Sequence, residues 1–316
     1  ADELVTAFQA ILNQVLSDPT GFVSPSLAVN AFNRLYNQDD VYFSLFSPQM
    51  AIDWPGNVKK YRLCDTGETC MFGEIMDANN ASAIDSNTSK IKPTAQSFWS
   101  ASADGPTVEL GGAGAEVPAY AARNVYTYTG TSDVPASPVD LSAASHVVTN
   151  ANTAITQAML SASSATERTN IINWMRGQDV QDDNNDGSTT DDRWKFADAL
   201  HSRPITVTYG GTAANPVTKL FVGTNDGGLR MINTNTGAEE WIVYLPEFLD
   251  DMKTLMDNNS GTHFIGADGA PSVWVVDNDN DGIIEPGNGD KVYLYIGMRR
   301  GGRSIYAFDV TTTSVR

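Results

Sequence analysis

The chain has 316 residues, of which 20 are basic and 38 acidic, so its formal net charge is −18. A surface this acidic repels nucleic acid and anionic membranes, and we expect neither as a direct partner. Hydrophobic residues make up 41% of the chain, which favours a folded globular protein. No apolar run reaches the roughly 18 residues of a membrane helix, so direct membrane insertion is not expected.

The chain opens with apolar residues at helical spacing in residues 4–16, LVTAFQAILNQVL, and Asp18 and Pro19 end this pattern. We predict a helix in the unit 1–18 and interpret it as the last helix of a preceding domain. The start lacks the basic residue and cleavage pattern of a signal peptide. Either a signal has been removed or the chain is an interior fragment.

Residues 19–200 are predicted to form a β-rich module with long loops. The segments LAVNAF, DVYFSLF and NVKKYRL alternate apolar and polar residues as strands do, and WPG predicts a turn. Weaker strands are expected around SFWSA and RNVYTYTG. Residues 141–176 carry a helical stretch.

The two cysteines, Cys64 and Cys70, lie close together in LCDTGETCM. A small disulfide loop is the favoured interpretation, and it indicates an oxidising compartment. A zinc site needs two further ligands, and no His or additional Cys is near in the sequence. The spacing excludes a redox-active CxxC motif.

An acidic loop follows the predicted helix, in RGQDVQDDNNDGSTTDDRW. Alternating oxygen-bearing residues before Gly187 indicate a second, weaker cation site, because no acid occupies the ninth position of the loop. The alternative is a solvated connector. The predicted ligands are Asp182, Asn184, Asp186 and the carbonyl of Ser188, with Thr190 or Asp191 completing the set.

An internal repeat appears in residues 201–316. KLFVGTNDGGLRMINTNTGAEEW and YLYIGMRRGGRSIYAFDVTTT share a strand ending in Gly, a Gly-Gly turn, a second strand and a Thr-bearing turn. Such units bury both faces only by stacking on neighbours, as the blades of a β-propeller do. We therefore expect a mainly β protein whose residues 201–316 are the first blades of a calcium-binding propeller. A helix is expected in LPEFLDDMKTLMD, inserted between the repeats.

The second insertion, DNDNDGIIEPGNGD, spans residues 277–290 and precedes the predicted strand KVYLYIGM. Acids at positions 1, 3 and 5, a glycine at 6, a carbonyl at 7 and an acid at 9 are typical of a calcium loop. Asn288 stands where an EF-hand has its bidentate Glu, so the pattern predicts a shorter loop. The alternative is a solvated turn. The predicted calcium ligands are Asp277, Asp279, Asp281, the carbonyl of Ile283, and Glu285.

Motifs of catalysis are not apparent in the sequence. HExxH, GxSxG and a P-loop do not occur, and the three histidines stand in no recognisable catalytic motif. Arg299, Arg300 and Arg303 form a basic cluster that we expect to pair with carboxylates of the same protein. We predict that the protein is not an enzyme.

TNDGGLRMINTNTGAEEW resembles the blade signature of quinoprotein-dehydrogenase-like propellers. Segments between about residues 4 and 310 also resemble the PilY family of type IV pilus tip-associated adhesins and assembly factors, in the family's order. These segments are AFNRLYNQDDVYFSLFSP, NVKKYRL, AQSFWSASADG, RNVYTYTG, DRWKFADALHSRP, DNDNDG and GMRRGGRSIYAFDV.

The resemblance implies an extracellular protein at the pilus tip or outer surface, exported through the periplasm. It implies that calcium in the 277–285 loop is linked to control of pilus extension and retraction. It further implies contacts with minor pilins and the tip complex, and with host or abiotic surfaces.

The sequence also departs from the PilY family. The von Willebrand A-like domain of many members has no DxSxS counterpart here, so residues 1–18 are interpreted as its remnant, and only two blade-like repeats are present. One alternative is a quinone-dependent dehydrogenase, but that enzyme class needs a vicinal cysteine pair, and Cys64 and Cys70 are not adjacent. The other is a calcium-stabilised structural surface protein.

Overall fold

The computed structural model describes the protein at residues 22–26, 39–65, 68–132, 134–212 and 215–316. The described fold is mainly β, with 27% strand and 11% helix. The strands form three sheets of four, five and three strands. The predicted opening helix at 4–16 and the predicted strand LAVNAF lie outside the described residues.

The four-stranded sheet is an antiparallel meander. Its strands are β1 (Phe22–Ser26), β2 (Asp40–Phe46), β3 (Gly56–Leu63) and β4 (Ile75–Met76). Successive side chains of β2 belong to two different apolar clusters. Val41, Phe43 and Leu45 lie in one cluster, and Tyr42 lies in the other. The strands predicted from DVYFSLF and NVKKYRL are confirmed, because both faces of this sheet bury apolar side chains.

The five-stranded sheet consists of an antiparallel meander with one added parallel strand. The meander comprises β6 (Ile205–Thr212), β7 (Asn215–Thr224), β8 (Gly228–Asn233) and β9 (Glu239–Tyr244). The short strand β5 (Val125–Thr127) pairs in parallel with β9. RNVYTYTG is therefore a strand, as predicted.

The three-stranded sheet carries the predicted calcium loop. Its antiparallel strands are β10 (Ser272–Val276), β11 (Lys291–Gly297) and β12 (Ile305–Asp309). On β11, Val292, Leu294 and Ile296 are buried, and they join the main apolar cluster together with residues of the five-stranded sheet. The alternation read from KVYLYIGM thus places one face of this sheet in the core.

Both repeated sequence segments form antiparallel hairpins, and the loop of the second is longer than that of the first. In the first, Gly223 of β7 pairs with Leu229 of β8, and in the second, Gly297 of β11 pairs with Ile305 of β12. Among the described residues, no closed barrel or propeller is detected. The mainly β fold is confirmed, and the propeller stays a prediction.

The helices are short. They are α1 (Gly112–Ala115), α2 (Ala165–Arg176), a 3-10 helix (Pro246–Asp251) continuing into α3 (Met252–Asp257), and a 3-10 turn (Pro286–Asn288). The helix predicted in LPEFLDDMKTLMD is confirmed. Within the described parts of the chain, none of the helices has the length and apolar character needed to span a bilayer.

The predicted helical stretch at 141–176 is wrong for residues 141–164, which form turns. Asn152 binds the carbonyls of Ser145 and Val147 through Nδ2 and accepts from the amide of Ala154. Such side-chain bonds compete with helical backbone bonds. The helix begins only after Ser164, whose hydroxyl accepts from the Glu167 amide as an N-cap.

The strand predicted around SFWSA is also wrong. The hydroxyls of Ser97 and Ser100 each donate to Asp104 at 2.8 Å, which holds this segment in a turn. Trp99 is buried and its indole N–H binds the carbonyl of Thr234. The apolar and aromatic residues that led us to predict a strand are explained by this buried side chain in a turn.

Two histidine–aspartate pairs join the segment before β6 to the segment before β10. His201 Nδ1 lies 2.7 Å from Asp268, and His263 Nε2 lies 2.8 Å from Asp198. Each segment supplies one acid and one histidine, and both carboxylates are buried. Arg299 lies 3.6 Å from Asp268, so one member of the predicted basic cluster pairs internally.

A buried charge network lies beside the β7–β8 turn and the first residue of β9 in the five-stranded sheet. Arg230 donates to Asp226 at 2.5 Å and to Glu239 at 2.6 Å, and Arg123 binds Glu239 through two nitrogens. All four side chains are buried. Burial raises the pKa of Asp226 and of Glu239, but the nearby arginines outweigh it and lower both pKa values.

Candidate metal centre

The loop 277–290 connects β10 to β11 and folds around its first acid. Asp277 accepts hydrogen bonds from the amides of Asn280, at 2.8 Å, and Gly282, at 2.9 Å. Gly282 has φ of +78°, a conformation that a residue with a side chain rarely adopts. The glycine at the sixth position is therefore required by the turn, as the sequence pattern predicts.

The turn brings carboxylates together. Ligand atoms of Asp277, Asp279 and Asp290 lie within 4.8 Å of one another, and so do those of Asp279, Asp281 and Glu285. Asp279 belongs to both groups. Oxygens bound to one calcium ion at roughly 2.3–2.6 Å can lie at most about 5 Å apart, so each group has the spacing of a shared cation site.

The loop is electrostatically unfavourable without a cation. Desolvation and repulsion from Asp281, Asp290 and Asp277 raise the pKa of Asp279. Every charged side chain among these causes is itself acidic. A bound cation removes this repulsion.

Asp290 is the residue that sequence reasoning missed. It is fully buried, and its two oxygens accept from the amides of Asn278, at 3.0 Å, and Glu285, at 2.8 Å. These hydrogen bonds lower its pKa. It lies outside the nine-residue pattern, and the signal that points to it is an acid directly before a strand at the end of a glycine-rich insertion.

The other predicted ligands follow the turn. The amide of Ile283 donates to Asp281 at 2.8 Å, and Glu285 accepts from Asn288 at 2.6 Å. Asn288 Nδ2 also approaches Asp279 to 3.5 Å. That the carbonyl of Ile283 binds an ion stays a prediction.

The loop also contacts the five-stranded sheet. The amide of Ile284 donates to the carbonyl of Tyr209 in β6 at 3.1 Å. A Cβ at Gly210 would come within 3.0 Å of the Ile283 side chain, so the two segments are in close contact. The loop therefore forms part of the junction between two sheets.

The second acidic loop repeats the turn of the first. The amide of Gly187 donates to Asp182 at 3.1 Å, and the amide of Ser188 donates to Asp186 at 2.8 Å. These are the bonds that Gly282 and Ile283 make in the first loop. The four predicted ligand residues therefore lie on one turn. They are Asp182, Asn184, Asp186 and Ser188.

The interior of the second loop differs. Asn184 Nδ2 lies 3.2 Å from both Asp186 and Asp191, so an amide group separates the acids. In the part of the chain that the structure describes, no three Asp, Glu, His or Cys ligand atoms converge in this loop. Binding of a cation there stays a prediction.

Cys64 and Cys70 form a disulfide bond, as predicted. Glu68 lies close to both sulfur atoms. Because the two sulfurs are bonded to each other, neither is a thiolate that would ligate a metal. The geometry therefore supports a covalent loop closure rather than a zinc site.

Comparison of the chain with protein-family models, with characterised proteins and with solved structures found no significant match. The geometry of the 277–290 loop and the sequence resemblance therefore carry the functional argument.

Proposed function

We propose that the 277–290 loop binds calcium. The observation that carries this proposal is the convergence of carboxylates on Asp279, to which Asp290 contributes from outside the nine-residue pattern. The donors are all oxygens, which suits Ca²⁺, whereas Zn²⁺ prefers nitrogen and sulfur. Mg²⁺ demands strict octahedral geometry and retains water, so this crowded protein site suits it less.

The proposed role of the ion is to stabilise the junction between sheets. The acid-rich loop favours an affinity between about 10⁻⁷ and 10⁻⁵ M. Calcium at 100 times its Kd stabilises a folded protein by about 2.7 kcal/mol. Because the loop also contacts β6 through Ile284 and Tyr209, that energy strengthens the contact between the two sheets.

At the level of the whole protein, we propose a non-catalytic type IV pilus tip or assembly protein that mediates adhesion and controls extension and retraction. The resemblance to the PilY family supports this role, with calcium as cofactor and minor pilins and surfaces as partners. The repeated hairpins favour a propeller, and the Cys64–Cys70 disulfide is compatible with export through the periplasm.

The first experiment is a calcium titration by calorimetry on the wild type, on Asp281→Ala and on Asp85→Ala. Asp85 is an exposed turn acid that caps the amides of Asn87 and Thr88, and it serves as the control. We expect Asp281→Ala alone to lose the binding event and the calcium-dependent rise in melting temperature. A wild type that binds no calcium at millimolar concentration refutes the calcium proposal.

A separate experiment tests the pilus role. Purified minor pilins are titrated with the wild type, with and without calcium, and we expect calcium-dependent binding. Calcium binding without retention by pilins or by cell surfaces would favour the structural surface protein. A quinone-like absorption band in the purified protein would favour the dehydrogenase instead.

A further inference from the structure

A tight turn at residues 71–74 follows the disulfide loop at the end of β3. The amide of Glu74 donates to the carbonyl of Met71 at 2.9 Å, closing a β-turn. Gly73 has φ of +80°, as the third residue of a type II turn requires. This places Phe72 at the apex.

The turn exposes two large apolar side chains next to each other. Met71 is 75% exposed and Phe72 is 77% exposed. Single exposed apolar residues are common in folded proteins, but an adjacent pair at the apex of a turn presents a continuous apolar surface. Neither side chain belongs to the described apolar clusters, so packing within the described fold does not account for them.

The turn is held firmly against β3. The amide of Gly73 donates to the carbonyl of Cys64 at 2.9 Å, and the amide of Cys64 donates to the carbonyl of Glu74 at 2.8 Å. Cys64 is buried, and its disulfide to Cys70 restrains the residue directly before Met71. A preorganised turn loses little conformational entropy when its side chains become buried in a partner.

Carboxylates surround the turn. Glu74 Oε2 lies 3.3 Å from the amide of Met71, and Glu68 pairs with Arg62 at 2.7 Å. Burial, followed by the negative charges of Asp65 and Asp40, raises the pKa of Asp39, and Arg62 lowers it, so acids outnumber bases among the charges that act on this residue. Arg62 offsets the charge of Glu68, and the remaining excess of acids favours a partner whose surface is basic.

We propose that Met71 and Phe72 form a docking knob that inserts into an apolar pocket rimmed by lysine or arginine on a partner protein. Large apolar anchors inside a polar rim are the usual composition of interface hot spots. The excess of acids around Met71 and Phe72 favours basic residues around the partner's pocket. This proposal does not depend on calcium binding.

A chromatographic probe tests the chemistry of the knob. The folded protein is passed over a matrix of phenylpropylamine groups, which combine an aromatic ring with an ammonium, and over matrices of phenyl or propylamine alone. We expect the wild type to be retained most by phenylpropylamine. The variant M71S/F72S should lose that additional retention and elute as it does from propylamine.

The matched control is M50S/V134S, which removes two exposed side chains, 89% and 85% exposed, from other parts of the surface. It should keep the wild-type retention. Equal losses in both variants would show general hydrophobicity and overturn the proposal, as would a retained M71S/F72S variant. A clear fall in the melting temperature of M71S/F72S would also overturn it, because these side chains would then pack within the fold.

Discussion

The protein holds acidic groups close together in two regions, and the charges that surround these groups differ between the two. In the network around Arg230, its guanidinium group pairs with both Asp226 and Glu239. In the 277–290 loop, the groups that act on Asp279 are carboxylates, and its pKa is raised instead of lowered. The charges of the first region are therefore balanced within the chain, whereas the carboxylates of the second have no basic side chain among the groups that act on Asp279. This difference is the reason for proposing a cation at the second region and not at the first.

The largest effect is expected from Arg230→Ala. It leaves Asp226 and Glu239 buried with part of their neutralising charge removed, which typically costs about 3–5 kcal/mol of the free energy of unfolding. Urea unfolding measures this loss. Lys253→Ala is the control, because its ion pair with Glu167 is partly exposed and such pairs contribute about 0–1 kcal/mol. Similar losses in both variants would contradict the distinction.

The second effect concerns Asp290→Asn, which keeps the size of the side chain and removes its charge. Because Asp290 holds both ends of the loop and faces Asp277 and Asp279, calcium affinity should fall about 10- to 100-fold. Calorimetry measures the change. Unaltered affinity would mean that the nine-residue pattern is sufficient and that Asp290 has no part in the site.

A third pair of variants separates backbone strain from ion binding. Gly282→Ala and Gly187→Ala each place a side chain at φ of +78° or +86°, which costs roughly 1–2 kcal/mol. Both should lower the melting temperature of calcium-free protein. Only Gly282→Ala should also lower the calcium affinity of the 277–290 loop in a calorimetric titration. An equal loss of affinity in Gly187→Ala would contradict the assignment of the binding site to the 277–290 loop.

The last effect is a pH dependence at Asp53, a residue that is partly exposed, so solvent screening reduces the size of the effect. Burial raises its pKa to about 7, Arg193 lowers it, and Asp226 and Asp198 raise it. The folded protein therefore holds a proton there more tightly than the unfolded chain. Its contribution to the free energy of unfolding is complete below about pH 4 and is lost as the pH rises to about 7.

Asp53→Asn tests this dependence, because the amide resembles the protonated acid. We expect the variant to lose less stability than the wild type between pH 5 and pH 8, as measured by thermal unfolding in the presence of a chelator. Parallel curves for the two proteins would show that Asp53 does not titrate in this range.

Much of the local structure could be predicted because its cause is local. β2, β3 and β11 alternate apolar and polar residues, and the turn of the 277–290 loop depends on Gly282. The helix expected over 141–164 failed because Asn152 and its neighbours use their side chains to bind the backbone. The spacing of apolar residues does not show whether a side chain or the helical backbone will form these hydrogen bonds.

The sequence by itself determined the mainly β character, the position of the acidic loops and the pairing of its two cysteines, because spacing along the chain controls all three. Only the tertiary structure decided that Asp290 joins the carboxylate cluster of the 277–290 loop and that Arg123 and Arg230 meet Glu239. These contacts join residues from separate strands and loop ends. The energies of these contacts depend on burial and on distances in the folded protein, and neither can be derived from the spacing of residues along the chain.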